Sequence, residues 1–232
     1  MKDKLMNEQT QQRDGTGKKS AAVRVRPTLA DRREAIIHAA WRLVVANGLA
    51  AVTIRAISRE IGSTTGVVMH YFTTKEEVVE EMIDRLYSGL RANCSAALSG
   101  TPADQRLEKM LLATLPTRSK TAFGWKLSVA LQGEVLRSER IAELHRQHYQ
   151  KFEDDICAEL QRLQGIRVLA DDVDLKLLSR RLMVFIDGVG TQFVLRPGVM
   201  TPKVLRQLLK QELSFVPFSH RLELVPAAAE IR

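Results

Sequence analysis

The residues best placed to do chemistry lie in the stretch IGSTTGVVMHYFTTKEEV, residues 61–78. At 100° per residue on a helix, Gly66, Val67, His70 and Tyr71 group on one side, with Val68 and Phe72 on the other. Imidazole and phenol tips, the hydroxyl and methyl of Thr65, and a valine that can touch a thymine methyl are the groups that read base edges in a DNA major groove. Gly66 removes a side chain where backbone must approach the duplex, although glycine costs a helix ~1 kcal/mol relative to alanine. Lys75 falls at the start of the next helix, where the positive end of the macrodipole disfavours a cation unless a phosphate lies there. Thr53 offers a second such contact at the start of the preceding helix.

An isolated helix of about two turns is not stable in water, so neighbours must hold this one out. From Asp31 to Asn47 the residues Ile36, Ile37, Ala40, Trp41, Val44 and Val45 repeat at helical spacing, and Asn47-Gly48 supplies a left-handed stop. Thr53 is a good N-cap for a second helix through Ile54, Ile57 and Ile61, ended by Gly62. Thr64 caps the short third helix, expected over residues 65–72 with Val68 and Phe72 as its two anchors. Thr74 and Glu77 form a capping box for a long fourth helix reaching about Ala97. The second and third helices with the turn GSTT between them read as a helix-turn-helix.

Beyond Pro102 helical patterns continue over residues 103–115, 119–136, 138–164, 172–195 and 202–215, divided by Pro116, Gly165 and Pro197-Gly198. The expected fold is all-α with about nine helices. Residues 1–27 read as a disordered basic arm, 28–75 as the DNA-binding domain, 76–215 as a second domain and 216–232 as a loose tail. Residues 1–75 carry 13 Lys and Arg against 6 Asp and Glu, leaving 22 against 21 for the remainder. Nearly all of the net charge of +8 therefore sits in the first third, the footprint of a nucleic-acid binder. No apolar run suits a signal peptide or a membrane span, so the expected location is the cytoplasm.

The stretch TIRAISREIGSTTGVVMHYFTTKEEVVEEMI resembles the DNA-binding domain of the tetracycline-repressor (TetR) family, in its Thr53-Ile54 start, GSTTG turn, HYF and Lys75. GVVMHYF and VFIDGVGTQFVL are most similar to the choline-responsive BetI-like branch, although the fold is carried over here and the ligand is not. The resemblance implies operator contacts from Thr53, Thr64, Thr65, Gly66, Val67, His70, Tyr71 and Lys75. It further implies a homodimer whose second domain binds a small-molecule effector, and a regulator, a repressor in the first instance, released from its operator by that effector. Trp125 is the leading pocket residue on this basis, with Leu86, Leu131, His148, Phe152 and Gln192 as further wall. Without a small-molecule switch the same chain would be a DNA-binding or architectural factor.

Other chemistry finds little support. His145 and His148 lie three apart with Tyr149 beside them, but no HExxH, paired carboxylates or third ligand accompanies them, so neither metal nor cofactor nor catalysis is expected. Cys94 and Cys157 sit in helical patterns and read as reduced thiols. Asp187, an acid inside LMVFIDGVGTQFVL, either binds a cationic effector or pairs with Arg180 or a backbone group. Trp41 is assigned to the DNA-binding core. Arg24 and Arg26 either enter a minor groove or add nonspecific attraction. For assembly, Gly188 and Gly190 permit close approach, and Val204, Leu205, Leu208, Leu209 and Leu213 form a stripe that needs a partner.

Overall fold

The computed structural model describes residues 28–218; the arm at 1–27, with Arg24 and Arg26, and most of the expected tail lie outside them. Among the described residues nine α-helices run in order: α1 Leu29–Asn47, α2 Ile54–Glu60, α3 Thr65–Met69, α4 Lys75–Leu98, α5 Arg106–Thr114, α6 Ser119–Val135, α7 Glu139–Gly165, α8 Leu175–Leu195 and α9 Pro202–Ser214. The caps are local chemistry. Thr28 and Asp31 exchange hydrogen bonds at the head of α1, and the hydroxyls of Thr53 and Thr74 accept from Ala56 N–H at 3.0 Å and Glu77 N–H at 3.2 Å. Gly48 and Gly62 take φ of +76° and +63°, which ends α1 and turns α2 into the loop before α3.

Two apolar cores meet along α4. In the first, Ile36, Ile37, Val44, Ile57, Val68 and Phe72 of the helix-turn-helix unit pack on Val78, Val79, Met82 and Ile83 of α4. Leu127 and Leu131 of α6 and Ile141 of α7 belong to that same core, so packing continues without a break across residue 75. In the second, the far end of α4 at Cys94 packs with α5, α7, α8 and α9. Cys94 and Cys157 are free thiols, and burial pushes Cys94 up to about 12.

Three expectations change here. α3 ends at Met69, and His70 to Phe72 form a turn that swings the buried Phe72 ring beneath it. The α9 stripe finds its partner within the chain, since Leu205, Leu209 and Leu213 are buried in the second core. The tail does not begin at 216: Val216 is buried and Phe218 bridges back to Leu169.

Candidate DNA-reading face and effector cavity

The first site is a short helix braced from below. Val68 and Phe72 are buried beneath α3, and the Arg33 guanidinium of α1 lies 4.5 Å over the Phe72 ring while donating to Glu81 of α4 at 3.0 Å. Hydrogen bonding from Arg33 holds the Glu81 carboxyl below its usual range, so this clamp across α1, the turn after α3, and α4 is ionised at neutral pH.

Outward from that base, Thr64, Thr65, Gly66 and His70 are exposed, and Val67 and Tyr71 are half-buried. The His70 and Tyr71 rings meet edge to face at 5.2 Å. Thr64 Oγ1 accepts from Val67 N–H at 3.4 Å, and Thr53 is exposed at the head of α2; both keep an O–H free to donate. A Cβ on Gly66 would meet only Thr64 Oγ1, at 3.9 Å, so nothing inside the chain demands glycine there. Lys75 has an internal partner: its Nζ donates to Leu49 O at 3.0 Å, tying the 3-10 turn Leu49–Ala51 to the start of α4. Sequence reasoning passed over Met69, 54% exposed on α3, and the exposed Arg55 beside Thr53. The signal for each was present, as an apolar residue off the anchor face and as a cation in the first turn of α2.

The second site is a cavity of about 150 Å³ walled by α4, α5, α6, α7 and α8. Leu86, Trp125, His148 and Phe152 line it. Leu131 and Gln192 do not: Leu131 is buried in the first core, and Gln192, five residues and hence about 140° around α8 from the lining residue Asp187, faces solvent. Trp41, expected wholly in the DNA-binding core, also lines the cavity. Trp125 is fixed from two sides. Its Nε1 donates to Thr114 O at 2.8 Å, and its ring lies so close to Gly190 that a Cβ there would stand 2.3 Å from it. Gly190 therefore makes room for Trp125 rather than for a second chain.

The polar end of the cavity is an aromatic cluster around one carboxylate. Tyr149 Oη donates to Asp187 Oδ1 at 3.0 Å, while Arg180 pairs with Glu153 at 3.0 Å and not with Asp187. Burial raises Asp187 to about 6, against the lowering effect of the Tyr149 hydroxyl, and burial likewise raises both Tyr87 and Tyr149. Tyr87 stacks on His148 at 5.0 Å and His145 on Tyr149 at 4.1 Å, with Tyr87 edge-on to Tyr149 at 5.8 Å. Burial lowers both histidines below the usual imidazole range, so they are neutral at pH 7; His148 Nε2 lies 3.2 Å from Asp84 Oδ1. Among the described residues no group of three His, Cys, Asp or Glu side chains is placed to hold a metal ion. The cluster offers π faces and a negative charge, the combination that holds an organic cation.

Residues 36–82 match the model of bacterial regulatory proteins of the tetR family, and residues 102–215 match that of the BetI-type transcriptional repressor C-terminal domain. The chain belongs to the TetR family of transcriptional regulators. Regulators of this family bind operator DNA and small-molecule effectors. The HTH-type transcriptional regulator BetI of Vibrio parahaemolyticus is 24% identical over 201 residues, 82% of this chain and 96% of that one. PksA of Bacillus subtilis is 20% identical over 80% of this chain and 89% of its own. The TetR fold is also that of a transcriptional regulator from Saccharomonospora viridis solved in complex with choline, with TM-score 0.75, 23% identity, and coverage of 82% of this chain and 100% of that one. A transcriptional regulator from Rhodococcus sp. Rha1 superposes with TM-score 0.71 at 20% identity, covering 79% and 95%. No helix among the described residues is long and apolar enough to cross a membrane.

Proposed function

We propose that this TetR-family chain is a homodimeric repressor that a small organic cation releases from its operator. The observation that carries the reading is the Asp187 carboxylate, half-buried beside Tyr149 in a cavity that Tyr87 and Trp125 also line and whose α4 wall also seats the recognition helix. A cavity of about 150 Å³ suits an occupant on the scale of a benzene ring. The choline bound by the Saccharomonospora viridis regulator is of that class and supports the choice. On the DNA side, Thr53, Thr64, Thr65, Gly66, Val67, His70, Tyr71 and Lys75 are the proposed contacts, with α3 reading bases and Thr53 and Lys75 holding phosphates.

Two copies are required to place α3 in successive major grooves ~34–36 Å apart. Leu177, Val184, Gly188 and Leu195 lie within about 40° of one another around α8, and the three apolar side chains are 64%, 71% and 63% exposed. That seam is the proposed dimer surface, and sedimentation at micromolar concentration should find a dimer. An occupant that shifts α4 would change the spacing of the two recognition helices and so release the DNA.

The test is calorimetric titration of choline chloride and tetramethylammonium chloride into wild type and Asp187→Asn. Binding to wild type that weakens about tenfold per pH unit below about 6, and is lost in Asp187→Asn, supports the reading. Equal affinity in the two proteins would remove Asp187 from the site, and absence of binding would remove the cation.

A further inference from the structure

The cavity touches the DNA-reading unit at one residue. Of its lining residues Trp41 alone comes from α1–α3, whereas the others belong to α4 and beyond. Trp41 is anchored on α1 among Ile37, Ala40 and Val44, which are buried in the core that holds Val68 and Phe72 of the recognition element. A side chain in this position meets an occupant directly and carries its displacement to α1 without α4 as intermediary.

The two tryptophans of the wall are held differently. Trp125 is locked by the Thr114 carbonyl and by Gly190. Trp41 Nε1 is buried and has no hydrogen-bond partner among the described residues, and its ring rests tilted against His38 at 5.1 Å. Buried polar groups are almost always bonded, so an orphaned indole N–H calls for a reason. Its present position is kept by packing alone, and any position that offers an acceptor competes with it. A position in which the N–H gained an acceptor would give Trp41 a second arrangement, and two arrangements that cavity and DNA-reading unit each bias are the physical requirement for coupling between sites.

We propose that Trp41 is the coupling residue of this regulator, and that the effector which trips it carries a hydrogen-bond acceptor besides its cationic centre. The inference rests on the cation reading of the cavity given above. Trp125 then sets affinity, and Trp41 sets how far binding is felt at the DNA. The α1 contact adds to any motion of α4.

The test uses the full chain, a DNA duplex that the protein itself selects from a random pool, and two probes: choline, whose hydroxyl oxygen accepts, and tetramethylammonium, which has no acceptor. Binding is measured by calorimetry and operator release by fluorescence anisotropy at saturating probe. In wild type choline should raise the operator Kd by about fivefold or more, within the range usual for allosteric coupling, and tetramethylammonium by less than about twofold. Trp41→Phe, which loses the indole N–H, should bind choline more weakly, by up to about tenfold, yet at saturating choline should release the duplex less than about twofold. Trp41→Leu, which likewise has no donor, replaces it if the melting curve of Trp41→Phe is not cooperative. Release of the Trp41→Phe complex to the wild-type extent overturns the coupling role while leaving the cation reading intact. Loss of choline binding in that variant makes Trp41 an affinity contact and also overturns it. If neither probe binds wild type, the cation reading fails and the acceptor requirement with it.

Discussion

The DNA-reading face and the cavity are built by opposite rules. The face is polar, exposed and local: Thr64 to Tyr71 are consecutive, and what makes them usable is a base of two buried residues, Val68 and Phe72. The cavity is mostly apolar and non-local, drawing Trp41, Leu86, Trp125, Tyr149 and Asp187 from five helices. A face of the first kind can change its chemistry without changing its fold. A cavity of the second kind holds a charge in an apolar setting, so its chemistry and its stability are bound together.

The sharpest way to break this contrast is at the base of the face. Phe72→Ala removes a fully buried ring that also carries the Arg33 guanidinium, and should cost about 3–5 kcal/mol in thermal or urea unfolding together with DNA binding. A loss below about 1 kcal/mol would mean that α3 is held by something other than its two anchors. His70→Ala and Tyr71→Ala should instead leave the melting temperature nearly unchanged while lowering base discrimination by about 1–3 kcal/mol in anisotropy titrations with matched and mismatched duplexes.

Asp187→Asn should show the reverse pattern, a gain of stability with loss of effector binding. The sign follows from the raised value: the folded chain binds this proton more tightly than the unfolded one, so stability falls as pH rises from about 4 through about 6. Above that range the asparagine variant, which keeps an acceptor for Tyr149, should be more stable by on the order of 1–3 kcal/mol, and the advantage should vanish near pH 4. Equal stability at pH 7.5 would place Asp187 in a wetter setting than the aromatic cluster provides. The smallest effect is expected at Lys75: Lys75→Ala should lose about 1 kcal/mol of stability with its Leu49 bond, and reduce the salt slope of DNA binding by about one unit. An unchanged slope would leave Lys75 a purely internal strut.

The same contrast governs what could be read from the sequence. Caps at Thr53, Thr64, Thr74 and Glu77, and the stops at Gly48 and Gly62, act over three or four residues, so α1 to α4 were legible nearly to the residue. The end of α3 was not, because burial of Phe72 under α3 bends the chain before helical periodicity runs out. In the cavity, Leu86, Trp125, His148 and Phe152 were nameable from the family resemblance, whereas Trp41 was not: its spacing on α1 fits a core residue as well as a wall residue. Asp187 stood out as an acid in an apolar run, but its partner depends on whether Arg180, seven residues back on the same helix, or Tyr149, across the α7–α8 contact, reaches it, and Glu153 takes Arg180. The stripe on α9 misled for a related reason: periodicity reports a buried face and does not say whether the same chain or a second one covers it.

The central claim is that a cation held at Asp187 is felt at the DNA, and one titration tests it. Choline chloride is added at pH 7.5 to wild type and to Asp187→Asn, each bound to a labelled duplex selected by the wild-type protein, and the operator Kd is read by fluorescence anisotropy. The account predicts a rise of about fivefold or more for wild type and no change for Asp187→Asn, with both proteins binding the duplex equally well without choline. An operator Kd that stays constant in wild type while calorimetry shows choline bound would contradict it.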